Sequence, residues 1–184
     1  MRQILDAPSA FLPHVWANHA RHFPMREAIV CGPVRWTWRQ FNEAMNRVAN
    51  GLLDLGAGQG DKVAVVMSNS AEMAAVLYGI IKSGACVVPV SAMLSPEQIL
   101  GMVEDSGAQV LFANAHTRPL IEPVMDRLQR IRRNGFFAHG FEADGWRGLA
   151  GWLTLQDTAE PDAVYSADDE VNIIYSSGTT GLPK

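Results

Sequence analysis

The chain has 184 residues, of which 48% are hydrophobic and 18% are charged, so it is long and apolar enough to bury the core of an ordinary globular domain. Its 15 Lys plus Arg against 19 Asp plus Glu give a formal charge of -4, which offers no general attraction for nucleic-acid phosphates or anionic lipid and argues against both as partners. The first residues lack the apolar core of a signal peptide, and the apolar runs on either side of Lys82 are each shorter than the ~20 residues of a spanning helix. We expect a cytoplasmic protein that is not integral to the membrane.

The N-terminal third predicts a helix at 11–23, a hairpin around Gly32-Pro33 and a longer amphipathic helix. Between Trp38 and Leu55, apolar residues recur at steps of three and four, which is typical of a helix lying on a core. A capping box of Thr37 and Gln40 begins this helix, and Gly56 can end it in the left-handed conformation. Polar residues fill its opposite side: Arg39, Asn42, Glu43, Asn46, Arg47 and Asn50.

Strands and helices then alternate. The predicted strands are 62–67, 85–90, 109–113 and 135–138, and the predicted helices end near Lys82, Asp105 and Gln129. Capping boxes begin two of these helices, Asn69 with Glu72 and Ser95 with Gln98. Strands joined by helices of this length lie parallel with right-handed crossovers, which predicts an α/β fold with a mostly parallel, doubly wound sheet and flanking helices.

The other residues with reactive, charged or aromatic side chains are predicted to have structural roles and not to form a functional site. The segment 141–169 reads as a surface excursion or linker with one short helix near 149–156. The two cysteines lack metal-ligand spacing and are expected to be reduced and to pack as small hydrophobes. The histidines, without acidic partners, are expected at the surface rather than at a metal, and the arginine cluster at a solvated helix end. These residues are Cys31, Cys86; His14, His19, His22, His116, His139; Arg127, Arg130, Arg132, Arg133; and, as packing anchors, Trp36 and Trp38.

The last residues carry the most informative pattern, because a predicted strand, 171–175, runs directly into a loop rich in glycine and hydroxyl groups. Two glycines permit positive φ and let backbone N–H groups face a ligand, as in an anion-binding nest. Hydroxyls and an ammonium group add donors, and no acidic residue interrupts them, which suits a polyphosphate. The candidate ligands of the phosphates are Ser176, Ser177, Gly178, Thr179, Thr180, Gly181 and Lys184.

Two alternatives were weighed for this loop. A flexible turn is disfavoured because, at residue frequencies of about 6%, the six fixed letters of Gly-Thr-Thr-Gly-x-Pro-Lys arise by chance on the order of once in ten million positions. A P-loop needs four residues between its glycine and Gly-Lys, followed by Ser or Thr. Here the lysine follows Pro183, so the P-loop interpretation fails on spacing.

Residues 175–184 resemble the phosphate-loop signature of the adenylate-forming superfamily, which includes acyl- and aryl-CoA synthetases, peptide-synthetase adenylation domains and luciferases. The segments 37–55, 60–64, 85–90 and 95–97 also look like the family's N-terminal region. The resemblance implies that the whole chain, 1–184, is a truncated N-terminal subdomain of the large AMP-binding domain, with the phosphate loop at its end.

The resemblance further implies a reaction in two steps. A carboxylate, most readily a fatty acid, attacks the α-phosphate of ATP and releases pyrophosphate, and the acyl-adenylate then reacts with coenzyme A. The loop would hold the β- and γ-phosphates with Mg²⁺ taking a share of the charge, and no catalytic or metal-binding residue is assigned within this chain. The remaining domains that the family carries are absent, so we expect the piece alone to be inactive and its short sheet to leave an unpaired edge that favours homo-oligomers or disorder.

Two other functions stay open at this point. An aryl-acid ligase or a peptide-synthetase-type adenylation domain would share the loop and differ in the acyl pocket. A truncated, non-catalytic nucleotide-binding or interaction module would end at Lys184, and a stop codon there in the gene would favour it over the enzyme.

Overall fold

A computed structural model describes residues 11–176. The helices are α1 (Leu12–His22), α2 (Trp38–Asp54), α3 (Ala71–Lys82), α4 (Pro96–Ser106), α5 (Arg118–Ile121), continued by a 3-10 helix (Glu122–Arg127), and α6 (Leu149–Thr154). The strands are β1 (Glu27–Cys31), β2 (Val34–Thr37), β3 (Lys62–Val66), β4 (Cys86–Pro89), β5 (Val110–Asn114), β6 (Phe136–His139) and β7 (Arg147–Gly148). None of the helices in this part of the chain is long and apolar enough to cross a bilayer.

Five strands form one parallel sheet in the order β4-β3-β5-β6-β7, and β1 and β2 form a separate antiparallel hairpin. Helix α3 connects β3 to β4 on one side, and α4 carries the chain back past β3 to β5. The order of strands therefore reverses at β3, as a doubly wound sheet requires. The predicted α/β class with a mostly parallel sheet is confirmed.

Side chains of the buried strands alternate between two apolar clusters, one on each face of the sheet. Val63 and Val65 pack with residues of α2, α3 and α6, whereas Ala64 and Val66 pack with residues of α4 and α5. Alternation follows from the two-residue repeat of a strand, and burial on both faces explains why these strands are apolar throughout. A third, smaller cluster joins α2 to the hairpin and includes Trp36 and Trp38, the expected packing anchors.

Two of the three predicted capping boxes are present, and one was placed a residue too early. Thr37 with Gln40 and Ser95 with Gln98 form reciprocal boxes. Helix α3 instead begins at Ala71, with Ser70 as its N-cap, and the Ser70 hydroxyl accepts from the Met73 N–H at 3.0 Å. Asn and Ser are both strong N-caps, so the sequence alone does not choose between two of them in succession.

The helix predicted for 118–129 changes type after one turn. Four residues are α-helical, and the next six form a 3-10 helix that contains Pro123. Proline has no N–H to donate to the carbonyl four residues earlier, and its ring crowds that carbonyl, so the α-helical ladder cannot continue. The prediction was right about the helical path and wrong about its regularity.

The prediction of a surface linker over 141–169 was wrong for its first part. Strand β7 pairs with β6, and α6 buries Leu149 and Trp152 in the first core cluster. The indole of Trp152 lies 4.4 Å from the ring of Phe137, centroid to centroid, with the two planes tilted by 46°. The helical candidate at 149–156 is confirmed, but its role is to cover the sheet beside α2. A two-residue strand and a six-residue helix carry too little periodicity to show this in sequence.

The arginine cluster contains one residue that is not a solvated helix end. The guanidinium of Arg132 donates to Asp61 at 2.9 Å, to Gln109 at 2.7 Å and to the backbone oxygens of Leu55 and Gly56 at 3.1 and 2.9 Å. It thus ties the end of α2 to the approaches of β3 and β5. A planar guanidinium with five donors can join several such acceptors at once.

Gly79 provides a stability test because it lies where α3 crosses α2. A Cβ there would come 2.5 Å from the Cβ of Val48 and 2.8 Å from the carbonyl of Met45. We predict that Gly79→Ala lowers the free energy of unfolding by about 1–3 kcal/mol, because the two helices must separate. Chemical denaturation measures this change.

The matched control is Gly101→Ala in α4, where no atom lies within 4 Å of the added carbon. This variant should keep or raise stability, by up to ~1 kcal/mol, through helix propensity alone. Equal destabilisation by the two substitutions would contradict the assigned helix contact.

Candidate functional site

The structure describes the chain up to Ser176, the first residue of the predicted phosphate loop. Of the seven candidate ligands, Ser176 is described and its side chain is exposed. The other six lie outside the described residues: Ser177, Gly178, Thr179, Thr180, Gly181 and Lys184. The geometry that bears on the loop is therefore that of the preceding segment, residues 157–176, which we call the arm.

The arm begins on the polar side of α2. The guanidinium of Arg47 donates to the carbonyls of Leu153 and Gln156 at 2.9 and 2.7 Å, and the amide of Asn50 donates to those of Asp157 and Ala159, both at 3.0 Å. Arg47 thus holds the end of α6, and Asn50 satisfies backbone carbonyls at the start of the arm, which has no helix or strand of its own there. The polar side of α2, which the sequence analysis placed opposite its apolar side, is thus the surface that binds the start of the arm. We call this surface the docking strip.

A buried charged group lies at the centre of this strip. The side chain of Lys82, at the end of α3, is 0% exposed, and its Nζ lies 2.6 Å from Oε2 of Glu160 and 2.9 Å from Oδ1 of Asn42. The amides of Asn42 and Asn46 donate to the other oxygen of Glu160, at 2.6 and 3.2 Å. Two helices and the arm therefore converge on one ion pair.

The electrostatics of this cluster favour a charged pair. Burial would raise the pKa of Glu160, but hydrogen bonds from Lys82, Asn42 and Asn46 outweigh it and lower that pKa below its usual range. Burial lowers the pKa of Lys82, and the hydrogen bond and charge of Glu160 oppose that change. Without Glu160, a buried ammonium would lack its counter-charge, which is strongly unfavourable.

The middle of the arm is tied to the edge of the sheet. The hydroxyl of Tyr165 donates to the carbonyl of Lys82 at 2.7 Å, and burial raises the pKa of Tyr165 to about 12. Nearby, Gln59 donates to Asp169 at 2.9 Å, and Lys62 pairs with Glu170 at 2.9 Å. The latter two contacts are largely exposed and contribute little stability individually.

The predicted strand at 171–175 is reduced to a single parallel bridge beside β4. The N–H of Val87 donates to the carbonyl of Val171, and the N–H of Ile173 donates to the carbonyl of Val87, both at 3.0 Å. The next rung would require an N–H from Pro89, which has none. The strand prediction was wrong beyond this bridge, because the edge strand it would join cannot continue the ladder.

A side-chain contact holds the arm beyond the bridge. The ring of Tyr175, together with Ile173, packs against the second core cluster. Its hydroxyl lies 2.6 Å from Oδ2 of Asp105 and 3.2 Å from the carbonyl oxygen of Met102. Because a hydroxyl has one proton, it donates to Asp105, the nearer acceptor. Burial, and then the hydrogen bond to Asp105, raise the pKa of Tyr175 to about 12.

The remaining candidates stay outside this site. Three histidines are exposed, His14, His22 and His116, and two, His19 and His139, are half-buried. Across residues 11–176 no group of three or more His, Cys, Asp or Glu is arranged to hold a metal ion. Both cysteines are free thiols; Cys86 is buried, as expected, and Cys31 is half-buried.

Comparisons with known proteins agree on one family. A family model described as AMP-binding enzyme matches residues 16–184. The long-chain-fatty-acid--CoA ligase FadD13 of Mycobacterium tuberculosis (strain ATCC 25618 / H37Rv) is 35% identical over 151 residues, which is 82% of this chain and 29% of the ligase. The fatty acid--[acyl-carrier-protein] ligase ScoC of Streptomyces coeruleorubidus is 31% identical over 166 residues, or 90% of this chain and 30% of that protein.

A solved structure gives the same result. The anthranilate CoA ligase AuaEII, in complex with anthranoyl-AMP, superposes with a TM-score of 0.86 and 27% sequence identity over 94% of this chain and 33% of the ligase. The chain thus spans about a third of the length of the proteins that it matches.

The ion pair beneath the arm predicts an acid-sensitive contribution to stability. Because the folded pKa of Glu160 lies below that of an unfolded glutamate, about 4.3, the contribution is fully present above that pH and is lost as pH falls through the folded pKa. We predict that Glu160→Gln lowers the free energy of unfolding by about 1–2 kcal/mol at pH 7, a value reduced because the Glu160 side chain is 50% exposed.

Denaturation at several pH values tests this effect. The difference in free energy of unfolding between the original chain and the Gln variant should become smaller as the pH falls below about 4.3. The control is Glu43→Gln on α2, since Glu43 is exposed and has no hydrogen-bond or ion-pair partner among residues 11–176. If this difference in free energy did not change with pH, the charge of Glu160 would not be what stabilises the arm.

Proposed function

Because the chain belongs to the AMP-binding enzyme family, we propose that it is the N-terminal part of the large domain of an ATP-dependent acid–thiol ligase. The full-length enzyme activates a carboxylic acid, in the first place a fatty acid, to an acyl-adenylate. It then transfers the acyl group to coenzyme A, with AMP and pyrophosphate as the other products.

The observation that carries the proposal is the glycine-rich hydroxyl loop at the end of the arm. Its residue types match phosphate chemistry: two glycines for close approach of backbone N–H groups, several hydroxyl donors, and Lys184 as a cation without a neighbouring acid. The match to the family model extends through this loop. The arm supports the proposal because it is fastened to α2, α3, β4 and α4 up to the residue before Ser176.

In this proposal the residues of the chain act by binding and orientation. The loop grips the β- and γ-phosphates of ATP, and its N–H, O–H and ammonium groups stabilise the negative charge that moves onto the departing pyrophosphate. Mg²⁺ bound to those phosphates would neutralise part of their charge. We assign no residue of this chain to the metal or to proton transfer, since the described residues contain no metal-binding cluster and the loop contains no acid.

The substrate class rests on the relatives. A fatty acid is our first choice because the bacterial relatives named above include a long-chain-fatty-acid--CoA ligase and a fatty-acid ligase. An aryl acid is the second choice, favoured by the anthranilate CoA ligase among the solved structures. Pyrophosphate exchange by the full-length enzyme with matched fatty and aryl acids distinguishes them by which carboxylate stimulates the exchange.

The loop is tested by Lys184→Ala and Gly178→Val in the full-length enzyme. Loss of the ammonium group, or of the backbone freedom at the glycine, should reduce ATP–pyrophosphate exchange about a hundredfold, as for removal of one transition-state donor elsewhere. Arg35→Ala, which removes an exposed cation from the hairpin, is the control and should retain activity. Unchanged adenylate formation in both loop variants would refute the proposed function.

The chain by itself should not form a thioester. It spans only about a third of its relatives, and the acyl pocket and the catalytic groups of the second step are proposed to lie beyond it. Incubation of residues 1–184 with ATP, Mg²⁺, coenzyme A and a fatty acid is expected to give no acyl-CoA by mass spectrometry. Detection of acyl-CoA would contradict the proposal that the acyl pocket and the catalytic groups of the second step lie outside these residues.

A further inference from the structure

Tyr175 is the last side chain of the arm that the structure fastens to the body of the fold, one residue before the first candidate phosphate ligand, Ser176. Its ring packs on the second core cluster, and its hydroxyl contacts the C-terminal turn of α4. The two neighbours of Tyr175 point away from the body, since Ile174 is 70% exposed and Ser176 is exposed. The alternation indicates extended backbone that this single side chain holds in place.

Backbone pairing cannot perform the same task here. The parallel ladder beside β4 stops after Ile173, because the following rung falls on Pro89, which has no N–H. From that point to the end of the described residues, the arm's hydrogen-bond contacts with the sheet or its helices are those of the Tyr175 hydroxyl, with Asp105 at 2.6 Å and the Met102 carbonyl at 3.2 Å. The path of the chain at Ser176, where the described residues end, therefore depends on this contact.

Asp105 is poorly placed to stabilise its own helix. It lies in the last turn of α4, where the helix dipole disfavours a negative charge, and the adjacent residue Glu104 is also acidic. Its carboxylate is exposed and has one hydrogen-bond donor in the described part of the chain, the Tyr175 hydroxyl at 2.6 Å. A charged acceptor makes that hydrogen bond stronger than a neutral one would.

We propose that Tyr175 and Asp105 form a positioning pair that sets the register of the phosphate loop for ATP. Neither residue touches the reacting atoms. The pair acts by fixing the path of the chain where it reaches Ser176, so that less conformational freedom is lost when ATP binds. This inference rests on the proposed function of the loop.

The test uses Tyr175→Phe in the full-length enzyme, with Tyr165→Phe as the matched control. Both substitutions remove one hydroxyl from the same arm, and both hydroxyls donate a short hydrogen bond, at 2.6 and 2.7 Å. Tyr175→Phe should raise the KM for ATP about tenfold and leave the KM for the carboxylate unchanged. Tyr165→Phe should lower the melting temperature and leave both KM values unchanged.

Changes at Asp105 test the pair without disturbing the core. Asp105→Ala removes the acceptor from an exposed helix position and should reproduce the rise in the KM for ATP without loss of thermal stability. Asp105→Asn keeps an acceptor and should restore most of the original KM. The double variant of Tyr175→Phe with Asp105→Ala should be no worse than either single variant.

Three results would overturn the positioning pair. They are an unchanged KM for ATP in Asp105→Ala, equal effects on that KM in Tyr175→Phe and Tyr165→Phe, or additive effects in the double variant. The outcome is separable from that of the proposed function, since Lys184→Ala reports on the loop directly. Loss of exchange in Lys184→Ala with unchanged kinetics in Asp105→Ala rejects the pair alone, whereas unchanged exchange in Lys184→Ala rejects the phosphate loop.

Discussion

The described part of the fold depends on one ion pair, between the buried ammonium of Lys82 and the half-exposed carboxylate of Glu160. Lys82 comes from α3, the partner carboxylate from the arm, and the amides around them from α2, so three segments meet at one charged centre. A buried pair of this kind adds little net stability compared with an apolar contact of the same size. We interpret its value as positional: apolar side chains can slide past each other, whereas a buried ammonium accepts only the arrangement that brings it a carboxylate.

The same logic extends along the arm towards the loop. The segment has little regular structure, and the carbonyl groups at its start accept hydrogen bonds from side chains of α2 and not from a neighbouring strand. Where it does meet the sheet, Pro89 limits the pairing to a single bridge. The arm is thus held mainly by separate polar contacts and not by a continuous strand ladder.

Local signals account for the parts of the fold that were predicted correctly. The capping boxes at Thr37 and Ser95, the left-handed Gly56 and the apolar strands each act within a few residues, so they can be recognised in the sequence. The errors fall where two local signals compete, as at Asn69 and Ser70, or where an element is too short to show a period, as at β7 and α6. The phosphate loop was predicted from residue types alone and stays a prediction, because all of its candidate ligands except Ser176 lie outside the described residues.

By itself, the sequence determined the order of helices and strands up to β6, the doubly wound α/β class and the glycine-rich pattern by which the chain resembles AMP-binding enzymes. Only the tertiary structure decided that the polar side of α2 receives the arm, that Lys82 is buried against Glu160, and that Tyr175 reaches Asp105. Asn42 and Glu160 are 118 residues apart, and Tyr175 and Asp105 are 70 apart. Contacts at such separations leave no periodic trace in a single sequence, because they come into being only when the parallel sheet brings α2, α3, α4 and the arm together.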